Sequence, residues 1–425
     1  MNPRVLFLHW RGAALPGWRR MLDAGAMPRF ARLAAGGVLA DLMPTPPFGG
    51  AAGSATIATG CLADAHGILA DREPRPDLLG LRPASRTSRR RSAVWEIAHR
   101  EGLRSMAVAW PATHPTYPTR PSPDAAAIVT DAFAEHRSRH PDCWPMPSAC
   151  VFPEALRDEL WDLRLSAPEI TPEQLGALVP GLAEIDQARD DTLVRLAAAL
   201  ARCATDHAAG TFLAEHGPDG SGPRGWDLLC VHFALAGEAW LLRTEGRERS
   251  LRADGTSPLD EAPGHALAFL DLMLGRYLHL CGPETTVVIS GDAPPSEGAD
   301  PAPGFLLASG PGVRPGTSAD RARAMDVAPT VLALLGVPPA ADLDGRALGE
   351  ILTNPAPEER WTHEVPGEPS ENIDRERIEA MAADLRERGY AAPAVAPLME
   401  LQEHAAEVRQ VLETVRAVRS EAPAR

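Results

Sequence analysis

Residues 44–68 read PTPPFGGAAGSATIATGCLADAHGI: a Pro- and Gly-rich loop, a short helix of small residues, and a turn ending in His66-Gly67-Ile68. A loop of this kind, set at the end of a strand and feeding a helix N-terminus, is where α/β proteins bind anions and hold nucleophiles. The run Gly49, Gly50, Ala51, Ala52, Gly53 lets the backbone approach another group closely. What chemistry the stretch can support depends on the segments around it.

Upstream, Val5-Leu6-Phe7-Leu8 is a continuous apolar run, the pattern of a strand buried on both faces. An amphipathic helix is predicted over Trp18–Gly36, and Val38–Leu42 is a second strand that delivers the chain to the loop. Downstream, Val94–His99 predicts a helix ended by Gly102, feeding a strand over Ser105–Ala109. This alternation predicts an α/β fold with a largely parallel sheet and helices on both faces.

From Trp110 the chain turns Pro-rich, with a strand at Ala126–Val129 and helical patterns at Glu154–Leu163, Thr171–Leu178 and Glu184–His216. Residues 115–225 read as a partly helical cap insertion. The core resumes with a strand at Trp226–Phe233, a helix over Glu261–Cys281, and strands at Thr286–Ser290 and Gly304–Ala308. A further helix is predicted through Leu335, with Asp326 as its N-cap and Pro329 in its first turn. Residues 1–114 and 226–353 are then the core, 354–372 a charged linker and 373–425 a helical tail. The tail predicts helices over Asp374–Arg388 and Pro397–Val418. In the second, Leu401, Ala405, Val408, Leu412 and Val415 form a short heptad-like seam, suited to packing on the body or to a homodimer contact.

A net charge of −15 argues against nucleic acid or an anionic membrane as partner. The single basic cluster, Arg86–Arg91 (RTSRRR), is expected to be a solvated face. Six cysteines without a CxxC pair point to free thiols rather than disulfides or a zinc ribbon. No stretch of apolar residues is long enough for a transmembrane helix. The expectation is a cytoplasmic protein.

Several segments together resemble the alkaline phosphatase superfamily, and within it the type I phosphodiesterase/nucleotide pyrophosphatase branch. They are SATIATGCLADAHGI, VWEIAHREGLRSMAVAWPATHP, TVVISGD, FLLASGPGVRPG, MDVAPTVLALLGVPPAADLDGRAL and, in the tail, DLRERGY. The resemblance implies a three-layer α/β/α sandwich. It also implies two zinc ions at the strand ends and a Thr or Ser nucleophile that attacks phosphorus in line.

At the positions where that family carries its chemistry, this chain departs from it. The ligand position after the first strand holds Arg11, which cannot coordinate zinc. The nucleophile position, ten residues before Gly60, holds Gly50; Thr45, Ser54 and Thr56 are the nearest hydroxyls. The paired Asp and His positions after the Trp226–Phe233 strand hold Gly237 and Leu241, with Glu238 one residue off. Where the family shows Ser-Asp-His-Gly, this chain has Ser290-Gly291-Asp292-Ala293, and SEGADPAP beyond it supplies no His. His66, His99 and His232 read as structural histidines.

The reading is a pseudoenzyme, acting as a binding or scaffold protein, that has lost metal-dependent phosphoester hydrolysis and needs no cofactor. Its former pocket would comprise Arg11, Gly50, Glu238, Asp292 and His66. Arg11 would either bind a small anionic ligand or pair with Asp292 to neutralise the space left by the metals. The alternative is an active phosphohydrolase with a rearranged zinc or other divalent-metal site. It would use Ser54 or Thr56 as nucleophile and Glu238, Asp292, Asp300 and His66 as ligands.

Overall fold

The structure is a computed structural model that describes residues 3–75, 80–116, 125–134, 145–187, 190–294, 302–358 and 392–421. The Asp374–Arg388 helix, the DLRERGY segment, Cys143 and Asp300 lie outside these residues. In chain order the first half forms β1 (Arg4–Trp10), α1 (Trp18–Asp23), α2 (Pro28–Ala35), β2 (Val38–Met43), α3 (Gly50–Thr59) and α4 (Ala63–His66). The hairpin β3 (Arg72–Pro74) and β4 (Leu81–Pro83) precedes α5 (Val94–Arg100), β5 (Ser105–Val108), β6 (Ala127–Val129) and β7 (Val151–Phe152). Then come α6 (Arg157–Trp161), α7 (Pro172–Gly176), α8 (Thr192–His216), β8 (Leu228–Phe233), α9 (Leu235–Gly246) and α10 (Ala262–Cys281). The chain continues through β9 (Thr285–Gly291), β10 (Gly304–Ser309), β11 (Ala322–Arg323), α11 (Val327–Leu334) and α12 (Ala392–Glu421).

Nine strands form one sheet in the order β11-β2-β10-β9-β1-β8-β5-β6-β7. Only β10 and β7 run against the others, so the sheet is mixed but largely parallel. Alternation along its central strands makes two cores. Leu6, Leu8, Trp10, Leu229, Val231 and Ile289 face one way, under α2, α8, α9 and α10. Val5, Phe7, Leu228, Cys230 and Val288 face the other, under α3, α5 and α11. The result is three layers, helix on sheet on helix, as expected.

The structure corrects several sequence-based boundaries. The helix expected over Trp18–Gly36 is two helices, because Gly25 takes a left-handed turn (φ 78°) and Pro28 starts afresh at the first position of α2. The long helix expected from Glu184 begins only at Thr192, after Asp190 has taken the Thr192 amide in a local turn that competes with helix. Asp326 does not cap α11 with its side chain. Its carboxylate instead accepts from Arg323 N (2.9 Å) and Arg346 N (2.9 Å), tying three segments together. Within the stretch read as a cap, β6 and β7 lie in the central sheet and α8 packs on its face, so these elements sit with the core layers.

The basic run is not a solvated face. Arg89 is 6% exposed and forks onto Glu96 with contacts of 2.8 and 2.6 Å. Arg86 reaches the same carboxylate at 3.0 Å, and Arg91 pairs with Asp342 at 2.7 Å. Cys61, Cys150, Cys203, Cys230 and Cys281 are free and buried. Among the described residues no helix is long and apolar enough to cross a membrane. The tail seam faces the chain's own body: Val415 packs with Leu62, Ala63 and Met325, flanked by Val411 and Val418. Arg419 forks onto Asp64 and Asp344. A homodimer through this face would have to displace those contacts.

Candidate functional site

In a sheet of this kind, ligands bind beyond the carboxyl ends of the parallel strands. At that edge the register of three neighbouring strands puts His232, His9 and Ser290 in one row, on the face that carries α3. His9 Nδ1 lies 3.0 Å from Ser290 Oγ and 3.2 Å from its carbonyl oxygen. The His9 and His232 rings are 5.3 Å apart, and Trp110 packs 5.7 Å from each. Trp110 Nε1 donates to the Ser54 carbonyl (3.0 Å) and so anchors α3 over the row. Burial pushes both imidazoles down, His232 well below the ordinary histidine range, so both are neutral near pH 7.

The two fallback nucleophiles are turned the wrong way for attack. Ser54 is fully buried, and its hydroxyl donates to the Gly50 carbonyl at 2.8 Å. With that proton committed, Ser54 Oγ can only accept from His232 Nε2, 3.3 Å away, so the imidazole is not placed as a base. Thr56, also fully buried, lies 3.0 Å from His66 Nε2. His66 Nδ1 accepts from Ile68 N (3.1 Å), which leaves Nε2 carrying the proton and Thr56 accepting it. Burial pushes His66 down to about 3, with Arg89 adding to the effect. Thr45 is buried as well.

At Gly50 itself the backbone is left-handed (φ 60°), and a Cβ there would fall under 3 Å from the Asp71 carboxylate. That carboxylate accepts from the Ala51 amide and takes the N-terminal end of α3, where an anion is stabilised by unsatisfied N–H groups. An acidic side chain of the chain itself therefore stands against the position where a nucleophile would project. Asp71 was not singled out from the sequence. It lies 20 residues from Ala51, and the chain returns to it through α4 and the left-handed turn at Gly67.

The positions that the family pattern gives to metal ligands are closed by packing. Gly12 (φ 69°) and Gly237 meet backbone to backbone: Gly237 N donates to the Arg11 carbonyl at 3.1 Å, and a Cβ on Gly12 would fall under 3 Å from Gly237 Cα. A Cβ on Gly291 would strike the Phe305 ring. Leu241 is 42% exposed and has no donor to offer. Asp292 is used in structure: its Oδ1 accepts from Gly12 N (2.5 Å) and its carbonyl from Ala14 N (2.9 Å). His9 Nε2 stands 4.0 Å from the same carboxylate oxygen.

Arg11 does not pair with Asp292, as the sequence suggested. It reaches Glu238 (3.8 Å), which also receives Arg202 at 3.0 Å. The reason is placement: Glu238 rises from the first turn of α9, directly after the Gly12–Gly237 contact that brings the two loops together. Of the expected pocket, Arg11 and Glu238 are brought into contact, whereas His66 is tied to Thr56 in the second half of α3. Two zinc ions need converging carboxylates and imidazoles at about 2 Å, and the residues present at these positions do not fit them. Among the described residues no three His, Cys, Asp or Glu side chains form a group that could hold a metal ion.

The chain's likeness to known proteins agrees with its architecture. A 2-O GAG sulfatase superposes with a TM-score of 0.50 at 11% identity, over 85% of this chain and 79% of that one. The human ectonucleotide pyrophosphatase/phosphodiesterase 5 aligns over 83% of this chain and 100% of its own, at 13% identity and a TM-score of 0.45. A phosphonate monoester hydrolase from Silicibacter pomeroyi aligns over 84% and 78%, at 16% identity and a TM-score of 0.46. At 11% identity the sulfatase's likeness speaks for the fold alone. No curated protein sequence matches the chain. The sequence model for type I phosphodiesterase/nucleotide pyrophosphatase matches residues 18–234, half of the chain. With its alkaline-phosphatase-like sheet, the chain belongs to the type I phosphodiesterase/nucleotide pyrophosphatase family.

Proposed function

We propose that this family member is a pseudoenzyme, a cytoplasmic binding or scaffold protein that does not hydrolyse phosphoesters. The observation that carries this reading is the Asp71 carboxylate on the first turn of α3, set against a left-handed Gly50. In-line attack needs a nucleophile within a near-attack distance and orientation. Here that position has no side chain, and a negative charge guards it against an incoming phosphate. The closed Gly12–Gly237 contact supports the same reading at the metal positions. Arg11 and Arg202, which meet at Glu238, are the basic groups that a small anionic ligand or an acidic segment of a protein partner would engage.

The test is to purify the full chain, measure bound zinc, manganese and calcium, and assay an activated phosphate monoester and diester with each metal added. Metal well below one ion per chain and hydrolysis at the buffer rate are expected. Stoichiometric metal together with turnover would overturn the proposal and favour the rearranged-site alternative.

A further inference from the structure

The face of the sheet opposite α3 carries a second group of basic side chains. There α2 and α10 lie against each other, and between them is a groove of about 490 Å³ lined by Pro28, Arg29, Arg32, Gly275, Leu278 and His279. Three of its six lining residues are basic, in a chain whose formal charge is −15.

Arg29 is held in place. Its Nη1 donates to Asp271 Oδ2 (3.3 Å), and the same carboxylate accepts from the Arg29 and Phe30 amides at 3.3 and 2.7 Å. Asp271 is 1% exposed, so its charge is taken up by the first turn of α2 and by Arg29, and little of it faces the groove. The Arg29 stem and Nε lie across Gly275, where a Cβ would fall under 3 Å from Nε. A glycine within a 20-residue helix lowers that helix's stability; here it makes the notch that seats the guanidinium. One turn further along α2, Arg32 is exposed and pairs with no acidic side chain among the described residues. One turn beyond Gly275 on α10, His279 is exposed beside it.

The groove thus holds one guanidinium fixed by its neighbours, a second that pairs with no acidic side chain among the described residues, and an imidazole. Planar guanidinium forks match the oxygens of phosphate and bind them with paired, charge-assisted hydrogen bonds. We infer that this groove is a binding site for a phosphate group, carried either as free phosphate or as a small phosphomonoester. The inference is independent of the pseudoenzyme reading, because the groove uses none of the residues at the former catalytic edge.

The experiment is calorimetric titration of the full chain at constant ionic strength with inorganic phosphate and, separately, with methyl phosphate. One saturable site is expected for at least one titrant, and which of them binds identifies the source of the phosphate. Arg32→Gln should weaken it about fivefold or more, the order of one charge-assisted contact. Gly275→Ala should weaken it comparably while leaving the helical circular dichroism intact, because the new methyl displaces Arg29. Arg224→Gln, a charge-matched change at an exposed position elsewhere, should leave it unchanged. Absence of saturable heat with both titrants would overturn the inference. So would a site that survives Arg32→Gln and Gly275→Ala but is lost on Arg11→Gln.

Discussion

The two ends of α3 differ in kind. At the N-terminal end Gly49 and Gly50 contribute no side chain, and the Ala51 amide is served from outside by Asp71. At the C-terminal end almost every polar group has a dedicated partner. Thr56 is bonded to His66, Gly60 turns left-handed (φ 70°) and its carbonyl accepts from Gly345 N, and Leu62 N donates to Asp344. Arg90 N reaches the His66 carbonyl from the buried Arg89–Glu96 cluster, and Arg419 of α12 closes over Asp64 and Asp344. One helix therefore joins an end without side chains to an end densely tied into the fold. On the proposed reading the role of α3 is packing, and perturbations at its two ends should separate stability from activity.

The largest effect is expected behind the tied end. Burial alone would raise the Glu96 carboxyl, but Arg89 and Arg86 outweigh it and hold it down at about 2. Glu96→Ala would leave the buried Arg89 unpaired and should cost about 3–5 kcal/mol in urea unfolding. A loss below 1 kcal/mol would show that the cluster does not brace this end. Gly50→Thr at the N-terminal end should cost about 1–3 kcal/mol, from the left-handed backbone and the crowding against Asp71. It should bring no phosphoesterase activity; a stabilised or active variant would break the comparison.

A pH series sharpens the contrast further. His66 is depressed to about 3 in the folded chain against an ordinary value of 6.5, so between those limits the unfolded chain binds a proton that the folded chain does not. Its contribution is complete above pH 6.5 and is lost as pH falls toward 3, at about 1.4 kcal/mol per pH unit per proton. Unfolding measured from pH 7 to 5 should show this slope, and His66→Gln should reduce it; an unchanged slope would remove His66 from the account. The smallest effect is expected at the clasp. Arg419 is partly exposed, so Arg419→Ala should cost about 0.5–1 kcal/mol at low salt and almost nothing in 1 M salt.

The fold was largely legible in the sequence because its central strands are continuous apolar runs and its helices are punctuated by glycine. Val5–Leu8 and Leu228–Phe233 could hardly be anything but buried parallel strands. The departures at Arg11, Gly50, Gly237 and Leu241 come from counting along the chain against the family pattern. What fills the space does not. Asp71 reaches Ala51 through a chain reversal by α4 and the Gly67 turn whose geometry the sequence does not display, and Arg11 finds Glu238 rather than Asp292 because two glycines let separate loops touch. The burial of RTSRRR was missed for a similar reason: a run of arginines looks solvated until a single buried carboxylate, Glu96, is found to serve two of them.

The most direct test of the central claim is the zinc-dependent hydrolysis of an activated phosphodiester by the unmodified chain, run beside Ser54→Ala. With the nucleophile position empty and the Ser54 proton committed to the Gly50 carbonyl, both proteins should hydrolyse it at the buffer rate. Zinc-dependent turnover by the unmodified chain that disappears in Ser54→Ala would contradict the account and place a working nucleophile on α3.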